Sequence, residues 1–214
     1  MNPAPFLSLD GIDGTGKTTQ CRLLVEWLNA SGIPAIGCQD PGGTPLGDQL
    51  RQTLLASRTE ISPRAEALLF MASRAELVAK VIRPALDSGH VVVSDRFVTA
   101  NVVYQGYAHG LPPDELWAVG QFSTGGLLPD LTLILDLPVE QAVARRGRTA
   151  DRMEGRGLEY LQRVRDGFHA EAARRPERFE LIDASPDAAT VQRRLREIVA
   201  GFLRLRGFSI KDAQ

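Results

Sequence analysis

Between Phe6 and Thr19 the chain reads FLSLDGIDGTGKTT, and these residue types at this spacing are suited to holding a phosphorylated ligand. Gly11, Gly14 and Gly16 free successive backbone N–H groups to curl around an anion, and Lys17 follows as a compact point charge. The apolar run Phe6 to Leu9 precedes the glycines, and Lys17, Thr18 and Thr19 open a helix. G-x-x-x-x-G-K-T therefore lies between strand and helix, as a phosphate-binding P-loop requires. That helix turns its positive end toward the same anion. In such a loop Lys17 reaches the β- and γ-phosphates, and the Thr18 hydroxyl ligates Mg2+. The alternative is a glycine-rich turn with no ligand. Lysine usage weighs against it: the chain has 3 Lys against 22 Arg, yet Lys17 stands here, where a planar guanidinium does not substitute.

Four further groups of residues could do chemistry. Asp95-Arg96 follows the apolar run His90 to Ser94, at the carboxyl end of a buried strand, where ligands sit in an open α/β sheet. There Asp95 can hold water on a nucleotide's Mg2+ and Arg96 can grip a phosphate bidentately, or the two can be a buried structural pair. Phe70 and Arg74 are one helical turn apart and off the expected core stripe, so they form a cradle for a flat ligand, a surface pair or a minor cluster. Asp40-Pro41-Gly42-Gly43-Thr44 demands a tight loop, followed by a short helix with Arg51. The fourth group is five arginines in the glycine-containing stretch 145–157, read as a segment ordered by an anion or as a solvated charged face.

The elements that must position these groups alternate between strand and helix. Apolar runs at Phe6–Leu9, Ile33–Cys38, His90–Ser94, Leu131–Leu135 and Phe179–Asp183 predict five strands with helices between them. The fold class is therefore α/β, a five-stranded parallel sheet with helices on both faces. The longest predicted helix starts at Ser62-Pro63 and carries its core stripe on Leu68, Met71, Ala72, Ala75, Ala79, Ile82 and Leu86, with a kink at Pro84. Thr99, Asn101, Tyr104 and Gln105 fall on a short polar helix, and residues from about Gly207 read as a frayed tail.

With 214 residues, 43% of them hydrophobic, and no linker-like stretch, one domain over 1–214 is expected. A net charge of −1 argues against broad nucleic-acid binding. Cys21 and Cys38 fit neither a zinc spacing nor a disulfide scaffold. No eighteen-residue apolar run and no leader pattern is seen, so a soluble cytoplasmic protein away from membranes is expected.

Together the P-loop Gly11 to Thr18, Asp40-Pro41-Gly42-Gly43-Thr44, Asp95-Arg96-Phe97 with Tyr104-Gln105-Gly106 behind it, and Pro129-Asp130-Leu131-Thr132-Leu133-Ile134-Leu135-Asp136 resemble thymidylate kinases from about Phe6 to about Phe202. The resemblance implies a P-loop nucleoside monophosphate kinase fold, phosphorylation of dTMP to dTDP by ATP with Mg2+ on the way to dTTP, and a homodimer. It implies ATP binding by Gly11, Ile12, Asp13, Gly14, Thr15, Gly16, Lys17, Thr18 and Thr19, with Thr18 and Asp95 toward the metal. Phe70 would stack on thymine, Arg74 would bond the base O4, and Asn101 would face the ring edge. Tyr104 would crowd the sugar 2′ position with Gln105 beside it, Asp13 would take the 3′-hydroxyl, and Arg96 and Arg51 would hold the acceptor phosphate. Asp151-Arg152-Met153-Glu154 matches the family's lid pattern. Gly14 places the chain with members whose lid supplies the catalytic arginine, so Arg148 and Arg152 join Lys17, Arg96 and Asp95 as expected catalytic residues. Gln39, Phe97 and Ala100 depart from the Arg, Tyr and Ser common in the family. The rival readings are another nucleoside monophosphate kinase, a GTP-binding switch, for which an N-K-x-D motif is lacking, and a silent kinase relative.

Overall fold

The computed structural model describes residues 3–56, 60–146 and 157–210. Its strands are β1 (Phe6–Asp10), β2 (Ala35–Gln39), β3 (Val91–Asp95), β4 (Leu131–Asp136) and β5 (Phe179–Asp183). They form one parallel sheet in the order β2-β3-β1-β4-β5. β1 and β3 are buried at every residue, which requires cover on both faces and explains their nearly continuous apolar sequence. Phe6 pairs with Val92 and Leu7 with Leu131, so the strand feeding the glycine loop is locked from both sides.

The helices are α1 (Lys17–Ala30), α2 (Pro45–Leu55), α3 (Pro63–Leu77), α4 (Arg83–Asp87), α5 (Val98–Asn101), α6 (Pro113–Thr124), α7 (Val139–Arg146), α8 (Leu158–Arg174) and α9 (Ala188–Leu205). Local chemistry sets several starts. Thr44 caps α2 by accepting from Gly47 N, with Pro45 at the first helical position, and Asp187 caps α9 by accepting from Ala189 N and Thr190 N.

Four expectations need correcting. The buried stripe of α3 is Glu66, Ala67, Met71, Ser73, Arg74 and Leu77, whereas Leu68 is 57% exposed and Ala72 and Ala79 face solvent. Arg74 is only 2% exposed, so it does not belong to a surface pair. Apolar periodicity misplaced the stripe because it cannot count a guanidinium whose partners come from elsewhere in the chain. Second, the helix does not run as one α-helix to Gly89 but passes through a π-helical turn over Val78–Ile82 ahead of α4, next to Pro84, which has no N–H to donate and whose ring crowds the carbonyl four residues back. Third, the polar segment after β3 is α5 followed by a second π-helical turn, Val102–Tyr107, and it is buried along most of its length. Lastly, Phe208 and Ile210 pack half-buried against the core, so the fraying expected from Gly207 does not begin there.

Candidate active site

The loop from Gly11 to Gly16 wraps so closely that a side chain on Gly11 would bring its Cβ to 2.4 Å from the Leu135 carbonyl oxygen. Only glycine fits. Lys17, the first residue of α1, turns back and donates from Nζ to the Ile12 carbonyl at 2.8 Å, with Asp13 Oδ1 at 3.6 Å. Burial, reinforced by nearby Arg96, pulls the Lys17 pKa below its usual value, and Asp13, Asp95 and Asp10 oppose that shift. A cation so placed is poorly solvated and ready for a phosphate.

Next to it, the Thr18 hydroxyl donates to Asp95 Oδ2 at 2.5 Å. A hydroxyl and a carboxylate side by side are hard oxygen donors of the kind that share a hydrated Mg2+ with nucleotide phosphates. Among the described residues there is no group of three His, Cys, Asp or Glu that could hold a metal ion.

Arg96 has φ 72, a left-handed backbone that costs a non-glycine residue roughly 1–3 kcal/mol. The turn aims its guanidinium at the P-loop, where it donates to the Gly11 carbonyl at 3.1 Å and pairs with Asp13. Tyr104 closes the group: its hydroxyl accepts from Arg96 Nη2 at 3.1 Å and donates to Asp13 Oδ2 at 3.1 Å. Burial alone would raise the Asp13 pKa. The charges of Arg96 and Lys17 and the hydrogen bonds from Arg96 and Tyr104 outweigh it and hold the carboxyl well below the ordinary range.

Phe70, Arg74, Asn101 and Gln105 line another part of the same cleft. Arg74 donates from Nε to Asp40 Oδ2 at 2.5 Å, from Nη1 to Asn101 Oδ1 at 3.2 Å, and from Nη2 to the Phe97 carbonyl at 3.3 Å. Phe70, half-buried one turn earlier, lines the same space. Arg51 donates to the Pro41 carbonyl at 2.8 Å and borders the cleft between the two halves. One cleft of about 460 Å³ thus brings together Asp13, Lys17, Thr18, Asp95, Arg96, Arg51, Phe70, Arg74, Asn101, Tyr104 and Gln105. Gly11 and Ile12 lie buried beneath it. Arg148 and Arg152 lie outside the described residues.

The sequence reading missed two features. A second hollow of about 350 Å³ lies on the other side of the P-loop, bordered by Gly14, Thr15, Thr19, Arg145, Pro186 and Asp187. Arg145 shapes it by donating to the carbonyls of Ala184 and Ser185, both at 2.7 Å. The second missed feature is Asp10, wholly buried at the end of β1 with one carboxyl oxygen unpartnered. Burial pushes its pKa from 3.8 up to about 7, against the pull of Arg96 and Lys17. Between those two values the native state keeps a proton that the unfolded chain has released, so stability falls as pH rises through that window. Asp10→Asn is therefore expected to raise unfolding stability at pH 8, by up to about 4 kcal/mol, and to change it little at pH 4. Urea unfolding at the two pH values measures this. Equal shifts at both would rule out the proton linkage.

A P-loop that shares one cleft with Arg51, Arg74 and Arg96, on a parallel sheet of this order, defines a phosphotransferase with the nucleoside monophosphate kinase architecture. The comparisons narrow the class. The family model for thymidylate kinase matches residues 9–195. A thymidylate kinase of Symbiobacterium thermophilum is 45% identical over 206 residues, covering 94% of this chain and 96% of that one. One from Rhodopirellula baltica is 46% identical over 183 residues, 86% of this chain and 75% of the relative. The crystal structure of thymidylate kinase from Ehrlichia chaffeensis superposes with a TM-score of 0.76 at 29% identity, over 92% of this chain and 99% of that chain. The chain belongs to the thymidylate kinase family, whose members phosphorylate dTMP to dTDP with ATP.

Proposed function

We propose that residues 1–214 work as one kinase domain that moves the γ-phosphoryl group of ATP onto dTMP, giving ADP and dTDP. The observation that carries this is the single cleft in which Lys17 and Arg96 face the Phe70, Arg74 and Asn101 pocket. ATP would lie with its phosphates on the P-loop and its adenosine in the hollow beside Arg145 and Pro186. Thymine would stack on Phe70 with Arg74 toward its O4, the sugar would meet Tyr104 and Asp13, and the acceptor phosphate would lie between Arg96 and Arg51.

The acceptor phosphate is mostly ionised at neutral pH, so one of its oxygens attacks without a strong general base. What the chain supplies is alignment and charge neutralisation, from Lys17, Arg96 and the arginines Arg148 and Arg152. Thr18 and Asp95 would hold Mg2+, which when bound neutralises charge on the β- and γ-phosphates.

The deciding measurement is coupled detection of ADP release, with dTMP present and absent, with and without Mg2+. Release that needs both dTMP and Mg2+ is expected. Release independent of dTMP would sink the proposal, and a panel of dUMP, CMP, GMP and AMP separates it from other monophosphate kinases.

A homodimer is also proposed. The packed pair α3 and α6 leaves Leu68 and Phe122, the latter 88% exposed, in solvent. Sedimentation at a single monomer mass would refute it.

A further inference from the structure

Beneath the proposed base pocket runs an unbroken line of hydrogen bonds between four buried side chains. Arg74 Nη1 donates to Asn101 Oδ1 at 3.2 Å, Asn101 Nδ2 donates to Gln105 Oε1 at 2.8 Å, and Gln105 Nε2 donates to Glu66 Oε1 at 2.9 Å. Glu66 is 1% exposed and belongs to the same helix as Arg74, so the line leaves α3, crosses α5 and the following π-helical turn, and returns to α3. Arg74, Asn101 and Gln105 border the cleft, whereas Glu66 lies behind them.

The two ends of this line have opposite characters. A guanidinium only donates and a carboxylate only accepts, whereas each amide between them can present either its oxygen or its nitrogen to a neighbour. With a donor fixed at one end and an acceptor at the other, each amide has a single orientation that satisfies the whole line. A reversed amide would set like against like in a buried site, where an unmatched polar group is costly. Arg74 already orients Asn101. Glu66 fixes Gln105, and through it reinforces Asn101 from the far side.

Pyrimidine bases differ in this same respect. Thymine shows an oxygen at position 4 and an N–H at position 3, while cytosine shows an amino group and a bare nitrogen, so the order of donor and acceptor is reversed. A pocket wall of fixed polarity accepts one order and rejects the other. Resting on the reading that the base occupies the Phe70 and Arg74 pocket, we infer that Glu66 is a positioning residue for base choice. By holding Gln105 and Asn101 in one amide orientation, it selects a thymine-type edge over a cytosine-type edge without touching the base.

Glu66→Gln tests this with minimal change of shape, because a glutamine can donate or accept and so lets the line run either way. The expected result is a fall of about tenfold or more in the ratio of kcat/KM for dTMP to that for dCMP, with KM for ATP and the thermal midpoint close to wild type. The exchange Glu66→Gln/Gln105→Glu returns an acceptor-only group beside Asn101, and it is expected to restore most of the ratio. A merely structural Glu66 would slow both acceptors in parallel, and an unchanged ratio in Glu66→Gln overturns the inference. Should that variant not fold, Gln105→Met cuts the line at its middle: a lowered ratio there supports the inference and an unchanged one overturns it. Phe70→Ala separates the two levels of the reading. If it raises KM for dTMP while Glu66→Gln leaves the ratio intact, only the role of Glu66 fails; if dTMP binding survives Phe70→Ala unchanged, the base site itself is misplaced.

Discussion

Lys17→Ala is expected to lower kcat by roughly 10²- to 10³-fold, the size seen when one preorganised charge or donor is removed from a transition state. The side chain is buried between the Ile12 carbonyl and Asp13, and in the proposed reaction it would neutralise charge on the transferred phosphoryl group. Its contribution to folding is small by comparison. One charge-assisted hydrogen bond, about 1.5–3 kcal/mol, and the Asp13 ion pair are lost, but the desolvation cost of a buried ammonium goes with them, and Asp13 keeps its pairing with Arg96. Far-UV circular dichroism should therefore stay native while phosphoryl transfer collapses. Single-turnover mixing of the variant with ATP and dTMP reports the chemical step, and a rate within tenfold of wild type would falsify the assignment.

Arg74→Ala is expected to act twice. Asp40 lies wholly buried against this guanidinium and, with Arg74 gone, keeps a carboxyl in a site where burial already raises its pKa despite the pairing. Breaking such a pair from one side costs about 3–5 kcal/mol, and the variant should unfold at clearly lower urea. The second effect is on the base. A hydrogen bond from a charged group is worth about 1.5–3 kcal/mol, so kcat/KM for dTMP should drop roughly ten- to a hundredfold, with dCMP affected far less. The stability loss lowers both acceptors alike, so the dTMP to dCMP ratio isolates the base effect. If the urea midpoint does not move, the Arg74–Asp40 pair contributes nothing to the fold; if the ratio does not move, Arg74 does not read the base.

These two residues differ in how far the sequence exposes their roles. Lys17 is legible because a P-loop is local: glycine freedom, the point charge and the helix start all lie within nine consecutive residues. The central strands β1, β3 and β4 are legible for a similar reason, since each is a short apolar run buried on both faces, whereas the edge strands β2 and β5 are partly exposed and show more weakly. Arg74 was found as a ligand candidate but placed on the wrong kind of surface, because its burial depends on Asp40, Phe97 and Asn101, which come from other parts of the chain. Glu66 escaped notice because a charged residue in the first turn of a helix reads as solvated. Yet a signal was present: Glu66, Phe70 and Arg74 follow at intervals of four and so share one face of α3. The two π-helical turns left only one mark in the sequence, Pro84. Asp10 left none, because its unpaired oxygen is a property of the packing around it.

The position of β1 in the sheet bears on how the molecule comes to exist. Among the five described strands it is synthesised first, yet both of its neighbours, β3 and β4, lie far downstream: Phe6 waits for Val92, and Leu7 waits for Leu131. Closing such long loops is slow, and during translation the segment FLSLD has no strand beside it. A nascent chain released before Asp136 would therefore own every residue of the P-loop and lack the sheet that gives the loop its shape. Nucleotide capture should begin only once β4 (Leu131–Asp136) has left the ribosome, so the P-loop is completed only after β4, far downstream of its own last residue, has been made.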